Sequence, residues 1–332
     1  MKPYIIAALL AGSALAGTAG QAPAEKTLRV TVQVAVDHPI GANVVTFKEA
    51  LEELSGGEIE VEIYDSAQLF KGSEVPKAVA SGAIDMGVVL ADEYSGTVPA
   101  AGIFSEPFLF PSYEVLAKAA EPESPVRQTF DRLIGETGTR VLWWQDYGPV
   151  QILSKGHPIR TPADMKGKLV RALGKPVGDF IEAVGGTPVV MGGSEQFMAY
   201  QRGTVDIGMS GTTAVKSRKL YEVMDHVTMT NHSLAEFIVV INPATYDGLS
   251  DQERAWVDEA AQRAEADLRA KTRQQNEEAA AWLVETGNAT VTELTPEEIA
   301  QWQKASAPAI DIFIKDAGAT GQQLVDDIRA LY

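Results

Sequence analysis

Two stretches of this chain are spelled alike. Ala78-Val-Ala-Ser-Gly82-Ala-Ile-Asp85-Met-Gly87 and Ala199-Tyr-Gln-Arg-Gly203-Thr-Val-Asp206-Ile-Gly208 share their glycines, their aspartate and their apolar positions. Each reads as a helix ending, a glycine just past its last turn, and a short buried strand entered through the aspartate. The echo extends upstream. Residues 47–54 form a helix running into Gly56-Gly57 and a strand over 58–64; residues 180–184 form a helix running into Gly185-Gly186 and a strand over 188–191. The same order met twice predicts two similar α/β lobes facing each other, and a cleft between lobes is a usual seat for a small ligand.

The length of 332 residues and an apolar content of 45% suit two domains with packed cores. Residues 1–22 read differently from the rest. Lys2 supplies a basic start, an apolar run follows from Ile5 to Ala16, and small residues then offer a cleavage site. That is the pattern of an export signal, too short to span a bilayer. The chain has no cysteine, so neither a disulfide nor a lipid-modified cysteine is expected. A periplasmic protein without a lipid anchor is the reading. The net charge of −17 argues against nucleic acid or an anionic membrane as partner. A small anion is not excluded, because one arginine in a cleft outweighs a distant field that salt screens within roughly 10 Å.

Leu28, Val30, Val32 and Val34 alternate with polar neighbours as in a strand, and Asp37-His38-Pro39 turns the chain into a helix over 42–54. A strand over 59–63 completes a β-α-β unit, so a parallel arrangement is expected. Prolines break the apolar loop around 104–110 and interrupt the helical stretch 114–136. A strand over 139–144 leads to a first hinge at 145–149, after which the second half restarts with a short strand over 152–154. Ser250-Asp-Gln-Glu253 is a capping box, and nothing breaks the helical pattern until Gly287. The resulting helix of about 36 residues would be roughly 54 Å long. Apolar at both ends and polar between, it is suited to bridge two bodies across solvent, although a pair of helices would give the same pattern. The expected division is 27–148 with 234–278 in one lobe and 149–233 with 279–332 in the other.

Chemistry-bearing motifs are few. The four histidines lack metal-ligand spacing, and neither a nucleophile elbow nor a phosphate-binding glycine loop occurs. No metal or cofactor is expected. Asp85 and Asp206 are read as backbone caps at their joints rather than as an acid/base pair. Arg171 differs. It interrupts the apolar strand Leu169-Val-Arg-Ala-Leu173, and a buried guanidinium needs a partner, either an internal acid or a ligand carboxylate.

The run Ile159-Arg-Thr-Pro-Ala-Asp-Met-Lys-Gly-Lys-Leu-Val-Arg171, with Gly185-Gly-Thr-Pro188, Ser194-Glu195 and the segment Ala199 to Asp206, resembles the solute-binding proteins of TRAP (tripartite ATP-independent periplasmic) transporters. Gln68-Leu69, Gly82-Ala-Ile-Asp85 and Pro107-Phe-Leu-Phe110 fit as well. The resemblance implies a periplasmic-binding-protein type of fold: two α/β lobes joined by hinge strands, with a long helix across both. It implies an organic acid enclosed when the lobes close, with Arg171 bridging its carboxylate, and delivery to the permease subunits of the membrane. Other ligand-binding candidates are Gln151, Ser210, Gln33 near the end of the first strand, and Trp144 as an apolar wall.

The chain also departs from the family. Val150 and Gln151 stand where some members carry a second arginine, Gly192-Gly193 where an aromatic is common, and Ser210 where an asparagine is common. Lack of a second cation points to a monocarboxylate or modest organic acid. Rival readings are the receptor of an ATP-driven uptake system, a ligand-presenting sensory partner, and a periplasmic enzyme acting on organic acids. The bridging helix counts against the first, and the missing nucleophile–base pattern against the last.

Overall fold

The computed structural model describes residues 26–332, so the export signal expected over 1–22 lies outside the described residues. The first half contains β1 (Lys26–Thr31), α1 (Pro39–Leu54), β2 (Ile59–Tyr64), α2 (Val75–Ala80), β3 (Met86–Leu90), α3 (Tyr113–Ala119), α4 (Pro125–Gly135) and β4 (Arg140–Ser154). The second contains β5 (Leu169–Ala172), α5 (Lys175–Ala183), β6 (Thr187–Val190), α6 (Gln196–Arg202), β7 (Gly208–Ser210), α7 (Thr212–Ser217) and β8 (His226–Ile241). The chain ends with α8 (Pro243–Asp247), α9 (Asp251–Glu285), β9 (Thr290–Glu293), α10 (Pro296–Ser306) and α11 (Pro308–Arg329).

The two halves repeat one plan. In lobe I, β1 lies parallel between β2 and β3, and β3 pairs antiparallel with β8. In lobe II, β5 lies parallel to β6 and bridges to Ile207 just before β7, which pairs antiparallel with β4. The echoed joints explain the likeness. Gly82 and Gly203 take φ of +74° and +68°, a left-handed turn that spares glycine a Cβ clash. The aspartate three residues on then holds the neighbouring strand. Asp85 Oδ2 accepts the Arg29 N–H at 3.0 Å, and Asp206 Oδ2 accepts the Leu169 N–H at 2.8 Å. The caps are thus long-range ties between strands, not local turns.

The segment 145–149, expected as a hinge, is part of a strand. Here β4 continues through it, paired with β8 from Arg140↔Ile241 to Ser154↔His226. Register shifts at Asp146/Gly148 and Val150/Ile152 interrupt the ladder. Bulged strands keep most backbone groups bonded while bending the sheet, which a buried loop would not.

Helix α9 is a single unbroken 35-residue helix, roughly 52 Å long, opened by the Ser250–Glu253 capping box. It packs on α1 in lobe I and on α7 and β9 in lobe II. Its polar middle does not cross solvent, as the sequence suggested. Thr272 Oγ1 donates to the Asp146 carbonyl at 3.1 Å and Asn276 Nδ2 to the Tyr147 carbonyl at 3.0 Å. Arg269 pairs with Asp146, and Glu265 accepts from Arg127, Arg269 and the Trp144 N–H. These side chains are polar because they bond the hinge.

One boundary moves. Phe313, Leu324, Val325 and Ile328 of α11 bury with Phe104, Phe130 and Trp144 in the lobe I core, so 308–332 packs with lobe I rather than with lobe II. Among the described residues, no helix is long and apolar enough to cross a membrane.

Candidate functional site

Strand β5 is short, and its position is fixed by Asp206 on the Leu169 N–H and by the Arg171 N–H donating to Ile207 O at 2.9 Å. Val170 therefore points into the core and Arg171 toward the other lobe's edge. Arg171 is 3% exposed. Its Nε and Nη2 donate to the Met191 carbonyl at 3.2 and 3.0 Å, and Nη1 donates to the Met209 carbonyl at 2.8 Å. Neutral carbonyls aim the fork without cancelling its charge. Among the described residues no carboxylate lies within ion-pair distance of it, and two of its five N–H groups remain unused. Burial lowers its pKa, with Tyr200, Tyr147, Glu93 and Asp92 acting in the opposite direction. An arginine keeps its proton regardless, so the cost of an unpaired buried charge stands.

Tyr147 of β4 organises the surroundings. Its hydroxyl accepts the Gly211 N–H at 3.0 Å and lies 3.3 Å from Ser210 Oγ. Its ring stacks on His38 of lobe I at 5.7 Å and meets Phe237 of β8 at 5.5 Å. Ser210 thus lies beside the Met209 carbonyl that holds Arg171. His38 caps α1 by accepting the Ile40 N–H on Nδ1 at 3.1 Å. That bond places the ring proton on Nε2, which is buried without a partner. Burial, and then the nearby Arg218 charge, push the His38 pKa down to about 3. The ring is a neutral donor at any physiological pH.

Lobe I adds polar groups opposite Arg171. Gln33 is buried with its Nε2 unpartnered. Its Oε1 and the Glu93 Oε1 both crowd the space where a side chain on Gly72 would begin, at 2.9 and 2.8 Å. Burial pushes Glu93 up to about 7, with Arg171 pulling it down and Glu195 pushing it up. Burial also pushes Asp92 up to about 7, partly offset by its hydrogen bond from Ser105 at 2.8 Å. The lobes are in contact at this edge. Lys71 of lobe I pairs with Glu195 of lobe II at 3.0 Å, and Gly174 leaves room for the Asp92 side chain.

Three of the five sequence candidates, Arg171, Ser210 and Gln33, come to this region. Gln151 does not. Its Nε2 donates to Asn231 Oδ1 at 2.6 Å and its Oε1 accepts the Asn231 N–H at 3.1 Å, satisfying the bulge in β8 where Asn231 takes φ of +46°. It faces a cavity of about 470 Å³ shared with Tyr113, Arg273 and Asn276 on the α9 side. Trp144 is also misplaced as a ligand wall. It is fully buried in lobe I, donates to Asp131 Oδ1 at 2.9 Å and meets Phe104 and Phe130 edge-on. Trp143 stacks on Phe47 in the core at 4.5 Å. The aromatic residue at the interlobe edge is Tyr147. Sequence reasoning missed it, along with His38, Glu93 and Tyr200.

It also missed a second cation. Arg218, directly after α7, lays its guanidinium against Gly193 and has no hydrogen-bond or ion-pair partner among the described residues. Burial lowers its pKa, Tyr147 raises it, and Arg171 lies near enough to lower it further. Val150 and Gln151 still stand where some family members carry an arginine, and the positive charge near this region comes from Arg218 after α7 instead. Among the described residues no group of three or more acidic or histidine side chains could hold a metal ion.

The model of the family described as bacterial extracellular solute-binding protein, family 7, matches residues 31–316. A relative 29% identical over 291 residues, covering 86% of both chains, is the C4-dicarboxylate-binding periplasmic protein DctP of Rhodobacter capsulatus. Another, 25% identical and covering 85% of this chain and 86% of its own, is the 2,3-diketo-L-gulonate-binding periplasmic protein YiaO of Escherichia coli. Among solved structures, a TRAP periplasmic solute-binding protein of Sulfurospirillum deleyianum with bound succinate is 25% identical with a TM-score of 0.84, covering 93% of this chain and all of that one. One from Roseobacter denitrificans with bound β-D-glucuronate is 26% identical with a TM-score of 0.85, covering 92% of this chain and 99% of that one.

Proposed function

The chain belongs to family 7 of the bacterial extracellular solute-binding proteins, and from that premise we propose that it captures a small organic acid between its lobes for delivery to a TRAP-type membrane permease. Its relatives are receptors, not enzymes. The observation that carries the reading is Arg171: buried, aimed by two carbonyls, and short of an anion. A ligand carboxylate would take its two free N–H groups. Ser210, Gln33 and the His38 Nε2–H are the groups we assign to its remaining oxygens, since Gln33 Nε2 and His38 Nε2 are buried without partners. With β5 and β7 on one side and Gln33 and His38 on the other, only the closed arrangement lets both lobes touch the ligand. Ligand therefore favours closure by its differential affinity, and moving a 1:99 equilibrium to 99:1 takes about 5.5 kcal/mol. The protein would act in the periplasm, as its relatives do, and its remaining partners are the permease subunits.

Native mass spectrometry of the purified protein, followed by thermal shifts across an organic-acid library, tests this. A true ligand at 100 times its Kd stabilises by about 2.7 kcal/mol. No stabilisation by any carboxylate, with stabilisation by neutral or cationic solutes instead, overturns the reading.

A further inference from the structure

We propose that the outer end of lobe II, around Lys155, Lys168 and Arg202, is a docking surface for a short acidic segment of another protein, one that carries an apolar side chain among its carboxylates. The inference goes beyond the organic-acid reading and does not rest on it.

The chain as a whole is acidic, with a net charge of −17. Residues 149–233 are the exception: ten Lys or Arg stand against seven Asp or Glu, a net charge of +3. Part of that excess is already engaged. Arg160 pairs with Glu298, Lys175 pairs with Asp179 and Asp316, and Arg171 is held in the cleft. Lys155, His157, Lys168 and Arg202 instead surround one cavity of about 390 Å³, where the Gly203–Asp206 joint meets the end of β4 and the approach to β8. Among the described residues, none of these four makes an ion pair. The one acid in the wall, Asp206, gives its Oδ2 to the Leu169 N–H, and Asp225 close by accepts the Gly156 N–H at 2.7 Å. Lys155, His157 and Arg202 are exposed, whereas Val205 and Met224 beneath them are each 2% exposed. The rim is thus cationic and the floor apolar. Unpaired cations steer and orient carboxylates, and the floor accepts the apolar side chain between them. An extended anionic membrane fits less well, because it would also face the strongly acidic remainder of the molecule. A bare oxyanion would leave the floor unfilled. Every residue around the cavity belongs to lobe II, so the surface is the same with the lobes apart or together. Arg171 and Ser210 stand toward the other ends of β5 and β7.

The test follows amide chemical shifts of the purified protein during titration with three peptides: acetyl-Glu-Glu-Phe-Glu-Glu-amide, the same peptide with Gly in place of Phe, and acetyl-Lys-Lys-Phe-Lys-Lys-amide. The first should bind at least about tenfold more tightly than the second, the scale of one buried aromatic side chain. Its largest shifts should fall at Lys168, Val205 and Met224, and the third peptide should not bind. Raising salt from about 50 to about 300 mM should weaken the first peptide severalfold, because exposed charges are screened. The double variant Lys155→Glu with Arg202→Glu should weaken it by at least about tenfold, with the melting temperature unchanged. Equal binding of the two acidic peptides, binding of neither, or shifts centred elsewhere overturns the proposal. So does attachment to phosphatidylglycerol vesicles that the double variant abolishes, which would make this end a lipid-binding surface. None of these results touches the organic-acid reading, whose own test is the thermal shift by organic acids.

Discussion

Lobe I and lobe II are built alike, yet their arginines have opposite fates. Val30 lies against Met86, and Val170 bridges to Ile207. Arg29 in β1 therefore corresponds to Leu169 in β5, and Thr31 to Arg171. The lobe I arginine stands at the strand's outer edge and pairs with its own joint aspartate, Nε to Asp85 Oδ2 at 2.8 Å. The lobe II arginine stands two residues further in, where Asp206 cannot reach it. A shift of one pleat along a repeated strand thus separates a surface ion pair from a charge held for something else. The scaffold is shared, and its use is decided by which position the guanidinium occupies.

Four experiments bear on this contrast. Arg171→Ala should weaken the cognate acid by about 1.5–3 kcal/mol, roughly ten- to 150-fold, whereas Arg29→Ala should leave affinity unchanged. Equal effects in calorimetry would erase the distinction between the two lobes. The joint aspartates come next. Asp85→Ala and Asp206→Ala should each cost about 1–2 kcal/mol in urea unfolding, for the lost bond to a strand N–H. Only Asp206→Ala should also reduce affinity, because it frees the strand that carries Arg171.

A third experiment uses pH and the acids that face Arg171. Glu93 neighbours Asp92 on its own segment, Arg171 on β5 and Glu195 before α6. Its pKa is raised from 4.5 to about 7, so the folded protein holds a proton that the unfolded chain releases. Stability from this group is present below about pH 4.5 and is lost as pH rises toward 7. A bound anion favours the same protonated form. Affinity should therefore fall as pH rises through about 7, by at most about tenfold per pH unit for one proton. Glu93→Gln should make the profile measured by titration between pH 5.5 and 8.5 shallower, leaving the part carried by Asp92, which burial also raises to about 7. His38, neutral throughout that range, should contribute nothing to it. The smallest effect belongs to the exposed Lys71–Glu195 pair across the lobes. Lys71→Ala should change affinity within about twofold, and that change should vanish in high salt.

What was legible in the sequence follows from how locally each feature is encoded. The joints were readable because a left-handed glycine and a capping aspartate leave their own residues in the chain. Arg171 was readable because a charge inside an apolar strand demands a partner. Trp144 and Gln151 were misassigned because the facing of β4 changes at three register shifts, one of them at Val141/Trp143, and no alternation rule predicts where a bulge falls. Arg218 sits in Lys216-Ser-Arg-Lys219, which reads as a solvated basic run. Its seat exists only because a glycine far upstream lacks a side chain, a relation visible in three dimensions alone. The docking of α11 was missed for a similar reason: amphipathicity shows that one face is covered, not which body covers it.

The grip of α9 on the carbonyls of Asp146 and Tyr147 has a mechanical consequence. Thr272 and Asn276 clamp the crossing strand to a stiff rod, so any parting of the lobes must pivot about that clamp. Groups beside it, such as Tyr147, sweep the shortest arc, while Lys71 and Glu195 at the mouth travel farthest.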